Sequence, residues 1–311
     1  MASLMLDQSD GVTKLTGMAS LTQRIEPMLG EPRSAHGAVP HRISRIHMKD
    51  PARNTGVRKR SDVRGQGDPG IQSRTGYPDK VLLELYIVSD KYHNKFFKTT
   101  LDLVKYLAIM LNSVNLRYST IEDPKIKLIL VGIESSITEP YIENMPSIFD
   151  IEGAVHDNAV LSSLERYAHG GSIPGRPDMV YLMTGRDIYV IDIFGQPKID
   201  MRGTGLANVG GLCTKENVAV GEDKPGSYDG TDTVTHELAH LLGAVHDGTE
   251  AIKDIPGHQG SESCPWSDGY IMSYKDTGEN HFKFSSCSKE QFRLVLRYMR
   301  RHPAYRASDA Q

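Results

Sequence analysis

The residues able to do chemistry cluster between His236 and Gly248, in the run His-Glu-Leu-Ala-His-Leu-Leu-Gly-Ala-Val-His-Asp-Gly. Histidines four residues apart project from one face of a helix, close enough to share a metal ion, and His236 and His240 have that spacing. Glu237 stands beside the first. A carboxylate there can take a proton from metal-bound water without being a ligand itself. Gly243 lets the chain leave the helix, and His246 follows as a third nitrogen donor. Three protein ligands and one open position make a catalytic zinc site, whereas structural sites are closed by four. A helical histidine is often an ordinary core residue. The longer string, with its glycine and third histidine, and a fitting Ile271–Ser273 segment downstream, weigh for zinc instead.

These residues need a scaffold, and from Tyr77 onward the hydrophobic pattern describes one. Val81–Val88 is a nearly continuous apolar run, the mark of a buried strand. Phe97, Leu101, Val104, Ala108 and Leu111 recur at helical spacing. Asp123-Pro124 breaks the chain before a second strand at 126–133. Asp157 is placed to cap a second helix with Val160, Leu161, Leu164 and Ala168 inward, and a third strand follows at 179–183. Alternating strands and helices imply a mostly parallel sheet with helices packed on it, an α/β fold. After Asp187 the chain is Gly-rich, with short segments around 205–213 and 218–221. Asp229 is a candidate N-cap for the metal helix, with Asp232 favouring its positive end and Val234, Leu238, Leu241 and Leu242 as its buried stripe. Ser288 and Gln291 read as a capping box opening a last helix, whose apolar face is Phe292, Val295, Leu296 and Met299.

Residues 1–76 differ from the rest, being rich in Gly, Pro, Arg and Ser without sustained periodicity; only 41–46 reads as a short strand. The stretch 50–75 reads as an exposed basic linker. Within it Arg58, Lys59 and Arg60 suit a processing protease, and equally a solvated charge cluster. The chain of 311 residues, 39% hydrophobic and 24% charged, suffices for one large domain and an appendage. A net charge of −3 points to no nucleic-acid or anionic-membrane partner, and no apolar run is long enough to span a bilayer. Met1–Asp7 lacks the charged and apolar regions of a secretory signal, so either the natural chain begins earlier or export by that route is not expected. Cys213, Cys264 and Cys287 form an odd set, open to one disulfide with a leftover thiol or to three thiols.

Taken together, the zinc string with its His246-Asp247 ending resembles the metzincin zinc endopeptidases, and most closely the reprolysin branch of snake-venom, ADAM and ADAMTS proteases and salivary enzymes of blood-feeding arthropods. Four further segments share the resemblance: Leu83–Val88 is similar to that family's first strand, 182–187 to its third, 205–213 to the edge strand above the cleft, and 284–288 to the stretch before the final helix. The resemblance covers about residues 77–303 and implies a metzincin fold. That fold has a twisted five-stranded, mostly parallel sheet with helices in an upper subdomain. The active-site helix lies at the cleft, above a small irregular lower subdomain with a Met-turn and the C-terminal helix. It divides the chain into a propeptide remnant with basic linker, 1–76, and a catalytic domain, 77–311.

By the same resemblance His236, His240 and His246 are zinc ligands, Glu237 is general base and acid, Met272 forms the Met-turn, and Gly243 and Asp247 support the site. Leu206, Ala207, Asn208, Val209, Gly210 and Gly211 are the edge that pairs with an extended substrate. Cys264 pairs with Cys287 by family position, leaving Cys213 without its usual partner; pairing of Cys213 with Cys287 stays open on sequence alone. Glu84 and Asp178 match positions that bind calcium in relatives, against the alternative of a buried glutamate paired with a basic side chain. Tyr274 stands where reprolysins carry proline; in the astacin and serralysin branches a tyrosine there is an additional zinc ligand, while the competing reading is a tyrosine lining the cleft. The N-terminal segment holds no cysteine, which excludes inhibition by a propeptide thiolate. The expectation is a secreted, monomeric zinc endopeptidase acting on proteins or peptides. A catalytically silent binding or decoy protein of the same fold is the alternative, but it has no need of Glu237. An intracellular zinc peptidase is the other, suggested by the few cysteines.

Overall fold

The computed structural model describes residues 2–9, 12–31, 39–46, 56–58, 79–143, 151–192, 198–273, 275 and 278–301. In chain order it opens with β1 (Ser3–Ser9), β2 (Val12–Ser20), β3 (Gln23–Pro27), β4 (His41–Arg45) and β5 (Gly56–Arg58). The chain continues with β6 (Lys80–Ser89), α1 (Lys91–Asn94), α2 (Thr100–Tyr118), β7 (Lys125–Ser135), α3 (Pro140–Glu143), β8 (Ala154–His156), α4 (Asp157–Tyr167) and β9 (Met179–Thr184). Then come β10 (Asp187–Asp192), β11 (Lys198–Gly203), β12 (Gly205–Asn208), β13 (Val218–Glu222), α5 (Thr231–Leu241) and α6 (Ser286–Arg301).

The central sheet has the order β5-β12-β13-β9-β6-β7. Without β5 it is the expected five-stranded sheet, parallel except at β12, which runs antiparallel to β13. Its middle strand β9 is buried at every residue, as a strand covered on both faces must be. On one face lie α2, α5 and α6, sharing a core that includes Leu83, Leu107, Val114, Leu238, Leu242 and Phe292. On the other, α4 brings Val160, Leu161 and Leu164 against Val88, Val180 and Leu206. β9, β12, β13 and the second half of β6 are covered on both faces and read as apolar runs, whereas β7 and the start of β6 alternate buried with exposed residues.

The helix ends correct several expectations. α2 starts after Phe97, where Thr99 and Asp102 form a capping box, and runs on past Leu111 to Tyr118. The cap of α4 is His156, whose Nδ1 accepts from the Ala159 amide at 3.2 Å, while Asp157 is the first helical residue. Gly230 caps α5, and Asp229 instead accepts the Lys224 amide. α6 begins two residues before Ser288; Ser285 Oγ accepts the Ser288 amide, and Gln291 reaches away from the helix start altogether. Gln291 is drawn off by tertiary partners, its amide reaching the Gly260 carbonyl at 2.7 Å and the Ser261 hydroxyl at 2.9 Å, whereas Asp157 and Asp229 bond near neighbours in the chain.

Two parts of the chain were not expected to be regular. β1, β2, β3 and β4 form an antiparallel four-stranded sheet, where one short strand had been foreseen. It rests on α2 and the start of α5: Ser3 Oγ donates to the Ile109 carbonyl at 2.8 Å, and the Thr231 hydroxyl lies 3.9 Å from Met18 Sδ. β10 and β11 form a hairpin, flanked by β8, in a stretch whose glycines suggested only loop.

Candidate active site

The site lies where the end of β13, the edge strand β12 and helix α5 meet the irregular region after Leu242. α5 carries His236 and His240 on one face, and Gly243 ends it with φ of 96°, a conformation that favours glycine. A Cβ at Gly243 would collide with Val295 of α6, so close packing adds a second reason for glycine. The turn brings His246 back toward the helix, and ligand nitrogens of the three histidines lie within 4.8 Å of one another. No other such group of His, Cys, Asp or Glu occurs among the described residues.

The rings are oriented from behind. His236 Nδ1 donates to the Ile271 carbonyl at 2.9 Å and His240 Nδ1 to the Ala244 carbonyl at 2.6 Å. A carbonyl can only accept, so these two rings carry their proton on Nδ1 and present a lone pair at Nε2. Burial disfavours the charged form of all three: His236 is lowered to about 4, His240 to about 3, and His246 well below its ordinary value. Neutral imidazoles with inward lone pairs are what a metal ion needs. His236 Nε2 and His246 Nε2 approach to 3.0 Å, and His240 Nε2 is buried with no hydrogen-bond partner. Converging, dehydrated nitrogens are costly unless a cation satisfies them. The donor set fits zinc.

Glu237 is fully buried, and neither carboxylate oxygen has a hydrogen-bond partner. Burial alone pushes its carboxyl well above the usual range; a divalent cation nearby would draw it down again. Opposite it stands Gly205: a Cβ there would sit 2.6 Å from Glu237 Oε1. The first residue of β12 therefore touches the carboxylate through backbone alone.

The other expected residues sort themselves by place. Met272 is buried, and its carbonyl accepts the Asp247 amide at 2.8 Å. Asp247 Oδ1 accepts the Ser285 hydroxyl at 2.7 Å, and burial raises its carboxyl to about 6. The edge strand is shorter than expected. Leu206, Ala207 and Asn208 belong to β12, whereas Val209, Gly210 and Gly211 turn toward the end of α5, where the Gly210 amide donates to the His240 carbonyl at 2.9 Å. Cys264 and Cys287 are joined in a disulfide, and Cys213 is a free thiol donating to Asp178 Oδ1 at 3.0 Å. Asp178 Oδ2 accepts the Glu84 amide at 2.8 Å, while the Glu84 side chain points to solvent rather than pairing in the core. Tyr274 lies outside the described residues.

Three contributors escaped the sequence reading. His258 accepts the Ile252 and Gly260 amides at Nδ1, each at 3.1 Å, and donates from Nε2 to the Gly243 carbonyl at 3.0 Å, bracing the turn that delivers His246. Gln291 of α6 accepts the Val245 amide at 2.9 Å. Third, β5 lies parallel on β12, pairing Gly56 with Leu206 and Arg58 with Asn208. Nothing in the local sequence of a histidine or glutamine marks such long-range roles, and the linker around β5 has no strand periodicity.

Residues 82–285 match the family description "Metallo-peptidase family M12". Among curated relatives, the venom metalloproteinase antarease TserMP_A of Tityus serrulatus is 26% identical, over 95% of this chain and 75% of its own. The antarease-like TfasMP_A of Tityus fasciolatus is 31% identical, over 70% of this chain and 93% of its own. Among solved structures, metalloproteinase-II from Bacteroides fragilis aligns with 95% of this chain and 76% of its own at a TM-score of 0.48 and 13% identity.

Proposed function

The chain belongs to metallopeptidase family M12 and is a zinc metalloendopeptidase, and from that premise we propose how its own residues cut a peptide bond. In this reading His236, His240 and His246 hold the zinc ion. Zinc, when bound, supplies Lewis acidity toward water and toward the scissile carbonyl. Glu237 takes the proton of the attacking water and returns it to the leaving amine. β12 offers its backbone to an extended substrate, and Gly205, lacking a side chain, lets the reacting carbonyl come up to Glu237. Met272 forms the floor of the site, and Asp247 with Ser285 fastens the turn that carries His246.

The observation that carries the reading is a water-excluded carboxylate, without hydrogen-bond partner, beside three neutral imidazoles that converge. A protein that only bound targets through this fold would bury Glu237 at a cost of several kcal/mol with no return. We place residues 1–76 as a propeptide, because β5 occupies the strand position that a substrate requires. The venom named in the relatives' descriptions supports an extracellular setting, and the disulfide agrees with one. A calcium ion between Glu84 and Asp178 is a further proposal; it would compete with the Cys213 thiol for Asp178.

The test loads the chain with zinc, nicks part of it within the basic linker, and offers both forms a mixed protein substrate with and without chelator. Chelator-sensitive cleavage should fall by about 10²–10⁴-fold in Glu237→Gln while about one zinc per chain is retained. Unchanged cleavage by that variant would end the mechanism. Retained zinc with no cleavage of any substrate would point to a binding protein.

A further inference from the structure

The edge that faces substrate is longer than β12. β11 passes through Thr204 directly into β12, and the two strands share one backbone run from Lys198 to Asn208. Gly203 opposes Ile188 at the start of β10, and Gly205 opposes Gly221 near the end of β13. Glu222 ties the two ladders together: its amide donates to the Thr204 carbonyl at 2.8 Å, and its carboxylate accepts the Ile188 amide at 2.5 Å. β13 and β10 therefore lie end to end along one side of the run. The other side is the one on which β5 sits at Leu206–Asn208. Among the described residues β11 is the terminal strand of its sheet. At roughly 3.3 Å per residue the whole edge is about 36 Å long.

Its β11 half exposes apolar side chains. Ile199 and Met201 are 51% and 44% exposed, and Ile199 is paired across the hairpin with half-buried Ile191. The polar residues between and after them are tied to each other: Asp200 accepts the Arg202 amide at 3.0 Å and pairs with its guanidinium at 2.6 Å. A register shift at this point of the ladder marks a bulge, a device that re-aims side chains near sites. Apolar groups thus stand in water on a strand that continues the substrate edge.

We propose that β11 is a second substrate-reading segment, on which an extended polypeptide lays apolar side chains while its cut bond lies at Gly205. This rests on the reading of β12 as the substrate edge. Because Gly205 abuts Glu237, β12 serves one flank of the scissile bond and β11 the other. Met201 and Ile199 lie four and six residues from Gly205 along the run, so they read substrate positions at about that distance from the cut. The enzyme then favours long, unfolded chains with apolar residues on that flank.

The measurement compares a short peptide with the same peptide extended by six residues containing leucine and phenylalanine, on one flank or the other. The ratio of kcat/KM, extended to short, should exceed about tenfold for one flank only, and should fall about tenfold in the Ile199→Asp/Met201→Asp double variant. A ratio unchanged by the double variant overturns the proposal. If no peptide is cut at all, the endopeptidase reading fails instead, and binding of the same fluorescent peptides to zinc-loaded Glu237→Gln decides this one. Equal affinity with and without the double substitution overturns it there too.

Discussion

His236 and His240 each commit Nδ1 to a backbone carbonyl, and that single fact sets the chemistry of the metal centre. It fixes the tautomer, aims Nε2 inward, and leaves no proton to be expelled when a cation arrives at neutral pH. The same burial has a price in acid for the metal-free protein. An unfolded histidine takes up a proton near pH 6.5, whereas in the folded chain burial lowers His236 to about 4, His240 to about 3, and His246 well below its ordinary value. Burial lowers His156 and His258 as well. Below pH ~6.5 the unfolded state therefore binds protons that the folded state refuses, and stability declines as pH falls toward the folded values. The raised carboxyls of Glu237 and Asp247 oppose this over the same window, so the histidine share is read by difference. Metal-free His236→Asn/His240→Asn/His246→Asn protein should lose less thermal midpoint between pH 7 and 5 than metal-free wild type, and zinc at saturation should raise the wild-type midpoint at each pH. An equal loss in both would contradict the buried, neutral geometry.

Helix α5 is held by a buried ion pair that no motif announces. Arg117 of α2 pairs with Asp232 in its first turn, and His281 Nε2 lies 3.1 Å from the other oxygen of that carboxylate. Burial raises the Asp232 carboxyl, but the Arg117 charge and the His281 contact outweigh it and leave the group lowered. Arg117→Leu strands that carboxylate in the core and should cost about 3–5 kcal/mol at pH 7, read by urea unfolding. The contribution is present above the unfolded aspartate value near pH 3.9 and is lost as pH falls through the lower folded one. The gap between wild type and variant should therefore narrow in acid; a constant gap would mean that packing, not charge, is the cause. Asp232 could be seen in the sequence as a favourable charge at a helix start, while Arg117, far away in the chain, could not be assigned to it. The same division runs through the whole reading. His236, Glu237, His240 and His246 were legible because chemistry and helical period coincide over a few residues. β9 was legible because burial on both faces makes it apolar, and β6 because its second half is buried in the same way. His258, Gln291 and the β10–β11 hairpin were not, since their roles depend on partners the local pattern does not contain. The caps at Asp157 and Asp229 missed by one residue each, at His156 and Gly230, because propensity does not fix which of two neighbours opens a helix.

At the scale of the molecule, the N-terminal segment holds the catalytic region in two places. The β1–β4 sheet rests on α2 and α5, where the Arg24 guanidinium also meets the Gly226 carbonyl, and β5 lies on β12. Neither contact uses a thiol, so latency here would rest on occupancy of an edge rather than on a ligand to the metal. A single cut beyond Arg58 severs the peptide link but leaves β5 attached to a sheet that is still docked. If β5 blocks the edge, the N-terminal segment then passes from an intramolecular to a bimolecular competitor, and its effective concentration drops from roughly millimolar to that of the protein itself. Release should therefore depend on dilution. Zinc-loaded chain cut in the basic run should show specific activity that rises as the protein is diluted, and added residues 1–58 should suppress it again. The uncut chain should stay slow at every concentration. If uncut and cut chains hydrolyse an extended peptide at the same rate, β5 does not block the edge, and the strand pairing is packing without regulatory consequence.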